Sequence, residues 1–536
     1  MRSRLLFILL IVALAAFLRF WQLGSIPPGL NIDEVSEGYN AYSLLKTGKD
    51  RYGMVAPVIF KSFGSYQPPV YTYLTILPVL LFGPTIFAVK LVTAVSGIVV
   101  VIFTYLIIKE FLITKKDYLA YIASLVIAVS PWAIFFSRMA TEASPALALF
   151  IIGFYLSLKA ISKPYCFPLA AFFFGLATHA YYSERIISLL FLASFVFIFR
   201  KKLLENKKWL FAGLVIYGLT QMPHLAILKS GAFSRRLSQV TYFGKVASPL
   251  REFASQYIAY FSPRNLFFDP DDQGARSMPD LSVFYNWMVI PYFLGFAYLI
   301  RKSKDYLAKN LLLLAFIAPI PAALTTDPFY TLRVFILLWV ISIMISIGLW
   351  QILNRIKQKS LALVILSALV AFSLADFYIH YFVLYKSERS ETVQFSNLEL
   401  VKITQSKQNK KFVVDLSRDI SIGVRFAFFR QYSPYLFQRD IGAPFLTSYY
   451  TSTDHETAYT IENVEIRPIN WQSDVYSDLI LVGDTLAISQ EQVNEHKLKL
   501  EFEIKDLDGE LSLIGYSTNP SQKCLSEPVK NILCKK

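Results

Sequence analysis

Asp33 and Glu34 stand side by side in the stretch Pro28–Gly38, just after the first apolar run of the chain. Two carboxylates held at a membrane edge can accept and return protons. The pair is therefore a candidate acid/base site for chemistry on a membrane-bound substrate. A plainer reading fits the same residues. Val35, Tyr39, Tyr42 and Leu45 recur at helical spacing and Gly48 follows them, so Asp33 equally suits the cap of a short helix. A cap can also act as a base, and spacing alone leaves both roles open.

Charged groups recur at the ends of later apolar runs. Arg138 and Glu142 are spaced i, i+4 and would share a helix face, while Tyr182, Glu184 and Arg185 close the cluster Thr178–Arg185. Asp327 and Arg333 flank Pro328–Leu332. An arginine at a membrane surface often only extends to water, and an exposed i, i+4 pair contributes little as an ion pair. Arginines and acids gathered on one side of the spans nevertheless suit an anionic headgroup, because a guanidinium pairs bidentately with phosphate.

The elements that must position these groups follow from composition. Of 536 residues 55% are hydrophobic and 17% charged, the balance of a polytopic membrane protein. The formal charge of +15 does not point to nucleic acid, because Lys and Arg collect in short loops between apolar runs. Arg19-Phe20-Trp21 follows the run Leu5–Leu18 where a cleavage site would need small residues, so the first span is expected to be retained, with a cytoplasmic N-terminus. Pro69–Phe82 is short and reads as re-entrant or interfacial. Further spans are expected at Ile86–Ile108, Tyr118–Phe136, Pro145–Ile161, Cys166–Tyr181, Ile186–Phe199, Trp209–Leu228, Leu281–Ile300, Leu311–Leu324, Val334–Leu353 and Leu361–Tyr381. With the first, that makes about eleven.

Basic residues at Lys109–Lys116, Lys163, Arg200–Lys208, Arg301–Lys309 and Arg355–Lys359 alternate with the remaining loops and mark the cytoplasmic side. The loop carrying Asp33, Ser137–Ser144, Tyr182–Arg185, Lys229–Asp280 and Thr325–Arg333 then face outward. An odd span count puts residues 386–536 outside as well. The expected fold class is an all-α polytopic membrane domain, residues 1–385, whose first outer loop bears amphipathic helices, plus a small C-terminal mixed α/β domain, residues 386–536. In that tail Lys411–Leu416 and Asp478–Val482 read as buried strands, Thr485–Lys497 as a helix, and Leu498–Tyr516 as a hairpin around Asp506-Leu507-Asp508-Gly509. Cys524 and Cys534 share the tail and suit a disulfide in an oxidising compartment, whereas Cys166 sits in a span. No Cys/His metal spacing, phosphate-binding glycine loop or GxSxG is present, and the five histidines are scattered.

Arg19-Phe20-Trp21, Pro27-Pro28-Gly29, Asp33-Glu34, Tyr66-Gln67-Pro68-Pro69-Val70-Tyr71 and Leu81-Phe82-Gly83 together resemble the opening of the GT-C membrane glycosyltransferases. The likeness is to the protein O-mannosyltransferase and lipid A aminoarabinose transferase branch in particular. Ser137–Glu142 falls where that branch has its second polar motif, and Tyr260–Asp272 resembles a long-loop motif of bacterial members. The resemblance covers roughly residues 1–385 and implies an integral enzyme of the cell membrane. It implies sugar transfer from a polyprenyl-phosphate carrier to a glycan, lipid or protein hydroxyl outside the cytoplasm, with inversion. It makes Asp33 the base and Glu34 its neighbour. Arg138, Glu142 and Tyr182 would orient substrates, with Asp327 beside them, and Arg333 and Arg185 would bind phosphate. The sequence assigns no certain cofactor and leaves a divalent cation, Mg or Mn, open. Aminoarabinose transferases carry Lys before Pro-Pro where this chain has Gln67, which would pass the phosphate to Lys61 or another cation. The competing class is a transporter or flippase, which predicts charges at mid-span and two matching halves. The charges here lie at span ends, with no internal repeat.

Overall fold

The computed structural model describes residues 2–111, 118–526 and 532–535. Lys115 and Lys116 of the first basic loop lie outside the described residues. The chain divides into two units. One comprises residues 1–23, 68–75 and 90–385; the other comprises 24–67, 76–89 and 386–536. The sequence reading grouped the first loop with the spans, whereas here it belongs with the tail.

In the first unit, and at its borders, six helices among the described residues are long and apolar enough to cross a membrane. They are Ile86–Phe111, Ala143–Ala160, Lys207–Ser230, Tyr306–Ala323, Thr331–Arg355 and Lys359–Glu388. Leu5–Phe20, Pro69–Phe82, Tyr118–Val129 and Pro164–Ala177 are shorter apolar helices. Several expected continuous spans are broken, and proline is the common cause. Tyr118–Val129 and Pro131–Phe136 are separate helices, the second opening with proline at its first turn. Within Lys207–Ser230 the helix is interrupted at Gln221 and resumes at Met222 with Pro223 in its first turn, and within Tyr306–Ala323 the helix Tyr306–Ile317 gives way to Ile320–Ala323 after Pro319. The expected span from Leu281 is helical only from Val289.

The break at Pro131 shows how the unit copes with carbonyls stranded away from water. Pro131 has no N–H to give the Ile127 carbonyl, and a helix end leaves its last carbonyls without partners. Ser130 N–H takes Val126 O at 2.9 Å and the Tyr285 hydroxyl takes Val129 O at 3.0 Å. The fully buried Arg19 donates to Ile127 O at 3.5 Å, to Ala128 O at 3.3 Å and across the break to Ala133 O at 3.3 Å. Arg138 returns the service at the end of the first helix, donating to Leu18 O at 2.9 Å and Arg19 O at 3.2 Å.

The second unit holds the small hairpin Phe60–Ser62/Ser65–Gln67 and a six-stranded mixed sheet. Its strand order is Tyr459–Ile461, Val464–Ile466, Phe412–Val414, Ile480–Gly483, Leu511–Ser517 and Lys499–Lys505. Phe412–Val414 runs parallel to both neighbours, and the other pairs are antiparallel. Val413, Leu481, Ile488, Ile514 and Tyr516 form the core on one side. The expected strands and hairpin are present, with Gly509 at φ +92° in the turn. The expected helix Thr485–Lys497 is confined to Gln490–Glu495, started by a Ser489/Gln492 capping box. The helices Phe395–Ser406 and Ile422–Phe429 and the strands Tyr459–Ile466 are additional. Cys524 and Cys534 form the expected disulfide.

Two glycines set the closest helix approach in the first unit. A Cβ on Gly295 would lie 1.7 Å from Met344 O, and one on Gly348 would lie 1.8 Å from Pro291 O. Small residues at such crossings let membrane helix backbones touch. Gly348→Ala should therefore cost about 1–3 kcal/mol or more and visibly shrink the monodisperse fraction extracted in detergent. Gly218→Ala, whose Cβ would meet nothing within 4 Å, is the matched control. Equal thermal unfolding of the two variants would contradict the close-packed crossing.

Candidate functional site: a carboxylate at a helix start and a separate arginine cluster

The helix Ile32–Thr47 begins as its sequence suggests but with a different cap. Asn31 takes the position: its side chain accepts from Glu34 N–H at 2.9 Å, and Glu34 Oε2 accepts from Asn31 N–H at 2.7 Å. This reciprocal capping box commits Glu34, which is buried, to holding the helix start. Asp33, one position earlier, is exposed and is not the cap. The two adjacent carboxylates thus take different roles. Gly48, at φ +72°, ends the helix as expected. Arg425 of the tail donates to Leu30 O, pairs with Asp419 at 3.4 Å and lies within the field of Glu34.

Gln67, the residue before Pro68-Pro69, joins the Asp33 carboxylate to a buried polar chain. Its amide Nε2 donates to Asp33 Oδ1 at 3.0 Å and to Asp33 O at 3.3 Å. Its Oε1 accepts from the Ser36 hydroxyl at 3.0 Å. Ser36 in turn accepts from Arg51 Nη1 at 2.6 Å and contacts the Ser62 hydroxyl at 3.1 Å. Arg51 Nε meets Glu456 Oε1 at 3.1 Å, and the Tyr52 hydroxyl bridges Arg51 Nη2 to Glu456 Oε2 at 2.9 Å on each side. Lys61, the expected substitute cation, is buried and donates to Ser452 O at 2.8 Å. Its burial holds its ammonium below the usual lysine range, against the pull of Asp454 and Glu456.

In the first unit a second group of side chains gathers around Tyr330. The Arg276 and Arg333 guanidinium carbons lie 3.6 Å and 3.8 Å from its ring centroid. Two cations that close must take opposite faces of the ring. Arg276 is held by Asp271, at 2.9 Å and 3.2 Å, and Asp271 also accepts from the Thr331 hydroxyl at 3.0 Å. Arg333 donates to Thr325 Oγ1 at 2.6 Å and Asp327 Oδ2 at 3.2 Å. Tyr330 N–H donates to the Tyr260 hydroxyl at 3.1 Å. Tyr181 lies within electrostatic reach of Tyr330, Arg333, Glu142 and Arg236.

Two expected roles change. Residues 137–142 are not one helix, since Pro131–Phe136 ends before them and Ala143–Ala160 starts after them. Arg138 and Glu142 therefore share no helix face. Arg138 is fully buried on backbone carbonyls and over the rings of Tyr381 and Phe382, 5.0 Å from each, a position for packing rather than substrate orientation. Arg185 donates to Phe233 O at 2.9 Å and stacks on Tyr182 at 4.6 Å and Phe233 at 4.5 Å. His179 and His224 stack at 3.8 Å, a packed pair. Sequence reasoning missed Asn31, Arg51, Arg276, Tyr330 and Glu456. Asn31 carried a legible signal, an Asn three positions before Glu. Arg51 and Glu456 carried none, being 405 positions apart. Among the described residues no group of three or more His, Cys, Asp and Glu side chains is placed to hold a metal.

Residues 66–227 match the family model of the dolichyl-phosphate-mannose-protein mannosyltransferases. No curated protein matches the chain in sequence. The fold is that of ArnT from Cupriavidus metallidurans. The apo crystal structure aligns with TM-score 0.57 at 10% identity, and the complex with undecaprenyl phosphate aligns with TM-score 0.55 at 12% identity. Each alignment covers 97% of this chain and 99% of that one, so the shared fold extends beyond residue 385 into the tail. An Archaeoglobus fulgidus oligosaccharyltransferase aligns more weakly, with TM-score 0.45 at 13% identity over 78% of this chain and 61% of that one. The matched family segment begins at Tyr66 and includes Gln67-Pro68-Pro69, Ser137–Glu142 and Thr178–Arg185, whereas Asp33 and Arg333 lie outside it.

The seam between first loop and tail carries a titrating group. Asp50 is buried and its carboxyl is pushed up from 3.8 to about 6, chiefly by burial. Donation from the Tyr449 hydroxyl at 2.6 Å and from Tyr52 and Met54 N–H pulls the other way without prevailing. A carboxyl with a raised folded-state pKa stabilises fully below its unfolded value and loses that contribution as pH rises through the folded value. Wild-type unfolding temperature should therefore fall between pH 4 and about pH 7 relative to Asp50→Asn, by a free energy on the order of 2–3 kcal/mol. Parallel pH profiles for the two proteins would contradict the buried carboxyl.

Proposed function

We propose that this chain is a membrane glycosyltransferase of the GT-C kind, a reading supported by the family model over residues 66–227 and by the ArnT-like fold, and that it transfers a sugar from a polyprenyl-phosphate carrier to a hydroxyl of an extracytoplasmic glycan, lipid or protein. The acceptor oxygen attacks the anomeric carbon while Asp33 takes its proton. The bond from that carbon to the phosphate oxygen breaks, its electron pair leaves with the lipid phosphate, and the anomeric centre inverts. The observation that carries the base assignment is the divided fate of the two carboxylates: Glu34 is buried in the capping box, and Asp33 is exposed and oriented by Gln67. The donor class is supported by the family description and by the undecaprenyl phosphate bound to ArnT.

Arg333 and Arg276 are assigned to the donor phosphate. Each guanidinium is steadied by an acid and by Tyr330, and an arginine fixed in that way meets a phosphate with little ordering cost. Arg138 leaves the list of substrate ligands on its burial, and the Lys61 ammonium already donates to Ser452 O. The basic loops favour a cytoplasmic N-terminus and a tail outside the cytoplasm. Membranes containing the protein, offered a panel of polyprenyl-phosphate sugars with nucleotide sugars as controls, should cleave a lipid-phosphate donor. Movement of donor across the bilayer without cleavage would favour the transporter class instead.

Asp33→Asn keeps volume and leaves the Asn31 cap intact, so the folded fraction should survive while transfer falls by ~10²–10⁴. Wild-type transfer rates in that variant would remove Asp33 from the mechanism. Arg333→Ala should raise donor KM and lower kcat/KM with unchanged protein abundance, and Arg333→Lys should restore only part of the loss. Full activity in the alanine variant would leave the phosphate to Arg276 alone.

A further inference from the structure

The carboxylate assigned as base does not stand alone: it terminates a buried polar chain whose far end belongs to the tail. Arg51, Ser36, Ser62, Gln67 and Glu456 are all buried, and Asp33 is the exposed member. Hydrogen counting fixes the sense of the chain. Arg51 can only donate, so its Nη1 occupies one lone pair of Ser36 Oγ. Ser36 gives its one hydrogen to Gln67 Oε1, which leaves its second lone pair for the Ser62 hydroxyl. With its oxygen engaged by Ser36, the Gln67 amide turns its N–H toward Asp33 Oδ1. Every bond from Arg51 outward therefore donates toward the carboxylate, as a cooperative series does.

The source of that polarity is set in the tail. Arg51 is wholly buried, and a buried guanidinium persists only with a partner. Glu456 supplies it, with both side chains 0% exposed, and Tyr52 closes the ring of contacts between them. Phe63 and Tyr52 cover the guanidinium at 4.9 Å and 4.7 Å. We propose that Glu456 and Arg51 are positioning residues for the base, acting through Ser36 and Gln67 to hold the Asp33 carboxylate in orientation and in its anionic form. This rests on the assignment of Asp33 as base, and it gives the tail a part in the chemistry.

The test uses the full chain in detergent with the donor identified from the panel. Replacing both partners together, Arg51→Met with Glu456→Leu, removes the charge source without leaving a buried charge unpaired, so unfolding temperature should stay close to wild type. Glu456→Gln, which keeps volume and an oxygen for Arg51, is the second variant and covers a loss of folded fraction in the first. Both should lower kcat about tenfold, the scale of lost supporting contacts, with donor KM changed by less than about twofold. In the double replacement the acidic limb of the pH–rate profile should move to higher pH, because the donor series to the ionised carboxylate has lost its cation. In an Asp33→Asn background neither variant should lower kcat further, because a relay acting through Asp33 has nothing left to position. Unchanged kcat in both variants, or an undiminished drop in the Asp33→Asn background, would overturn the relay while leaving the base assignment standing. A wild-type rate for Asp33→Asn alone would overturn the base assignment itself.

Discussion

The second unit depends on one buried ion pair. Arg51 and Glu456 lie 405 positions apart and neither is exposed, so each is tolerable in the interior only because the other is there. The pair draws a loop from the start of the chain and a segment from the tail into one body. Around it lie Tyr449 on Asp50, Tyr39 on Tyr432 O, Gln438 on Ser43 and Thr47, and Arg425 on Leu30 O. Two close approaches tighten the same seam: a Cβ on Gly29 would meet Val393 O at 2.2 Å, and one on Gly442 would meet Arg51 O at 2.5 Å. The hairpin that presents Gln67 and the helix that presents Asp33 are fixed by these contacts. The position of Asp33 is thus a consequence of how the tail packs on the loop.

The arginines sort by what they touch. Arg19 and Arg138 are spent on carbonyls freed by a proline break and a helix end, where hydrocarbon offers no alternative donor. Arg185 is held by a carbonyl and two rings. Arg276 and Arg333 instead meet acids and opposite faces of one tyrosine, a setting that orients a cation without neutralising all its donors. The same residue type at span ends therefore serves two different ends, and only its partners distinguish them.

That distinction explains what was and was not legible in the sequence. The membrane class, the helix Ile32–Thr47 with its Gly48 stop and the central tail strands could be read, because each rests on local pattern or composition. The continuity of the spans could not. Pro131, Pro223 and Pro319 sit inside runs whose hydropathy hides the break, because a membrane protein can re-bond the freed carbonyls from neighbouring helices. Arg138 and Glu142 read as sharing a helix face because i, i+4 spacing assumes a helix, and that helix stops at Phe136. The exchange of Lys for Gln at position 67 was visible, but its meaning needed the Ser36 hydroxyl and Asp33 carboxylate on either side of the amide.

The proposed reaction is a single displacement at the anomeric carbon with Asp33 as proton acceptor, and the stereochemistry of the product reports on it directly. Nuclear magnetic resonance of the glycoside released or formed by purified protein, with a polyprenyl-phosphate donor of defined anomeric configuration, reads the outcome in one step. One in-line displacement requires inversion. A product of inverted configuration is the predicted result, and a product of retained configuration would contradict the mechanism by requiring a covalent intermediate or a different attacking group.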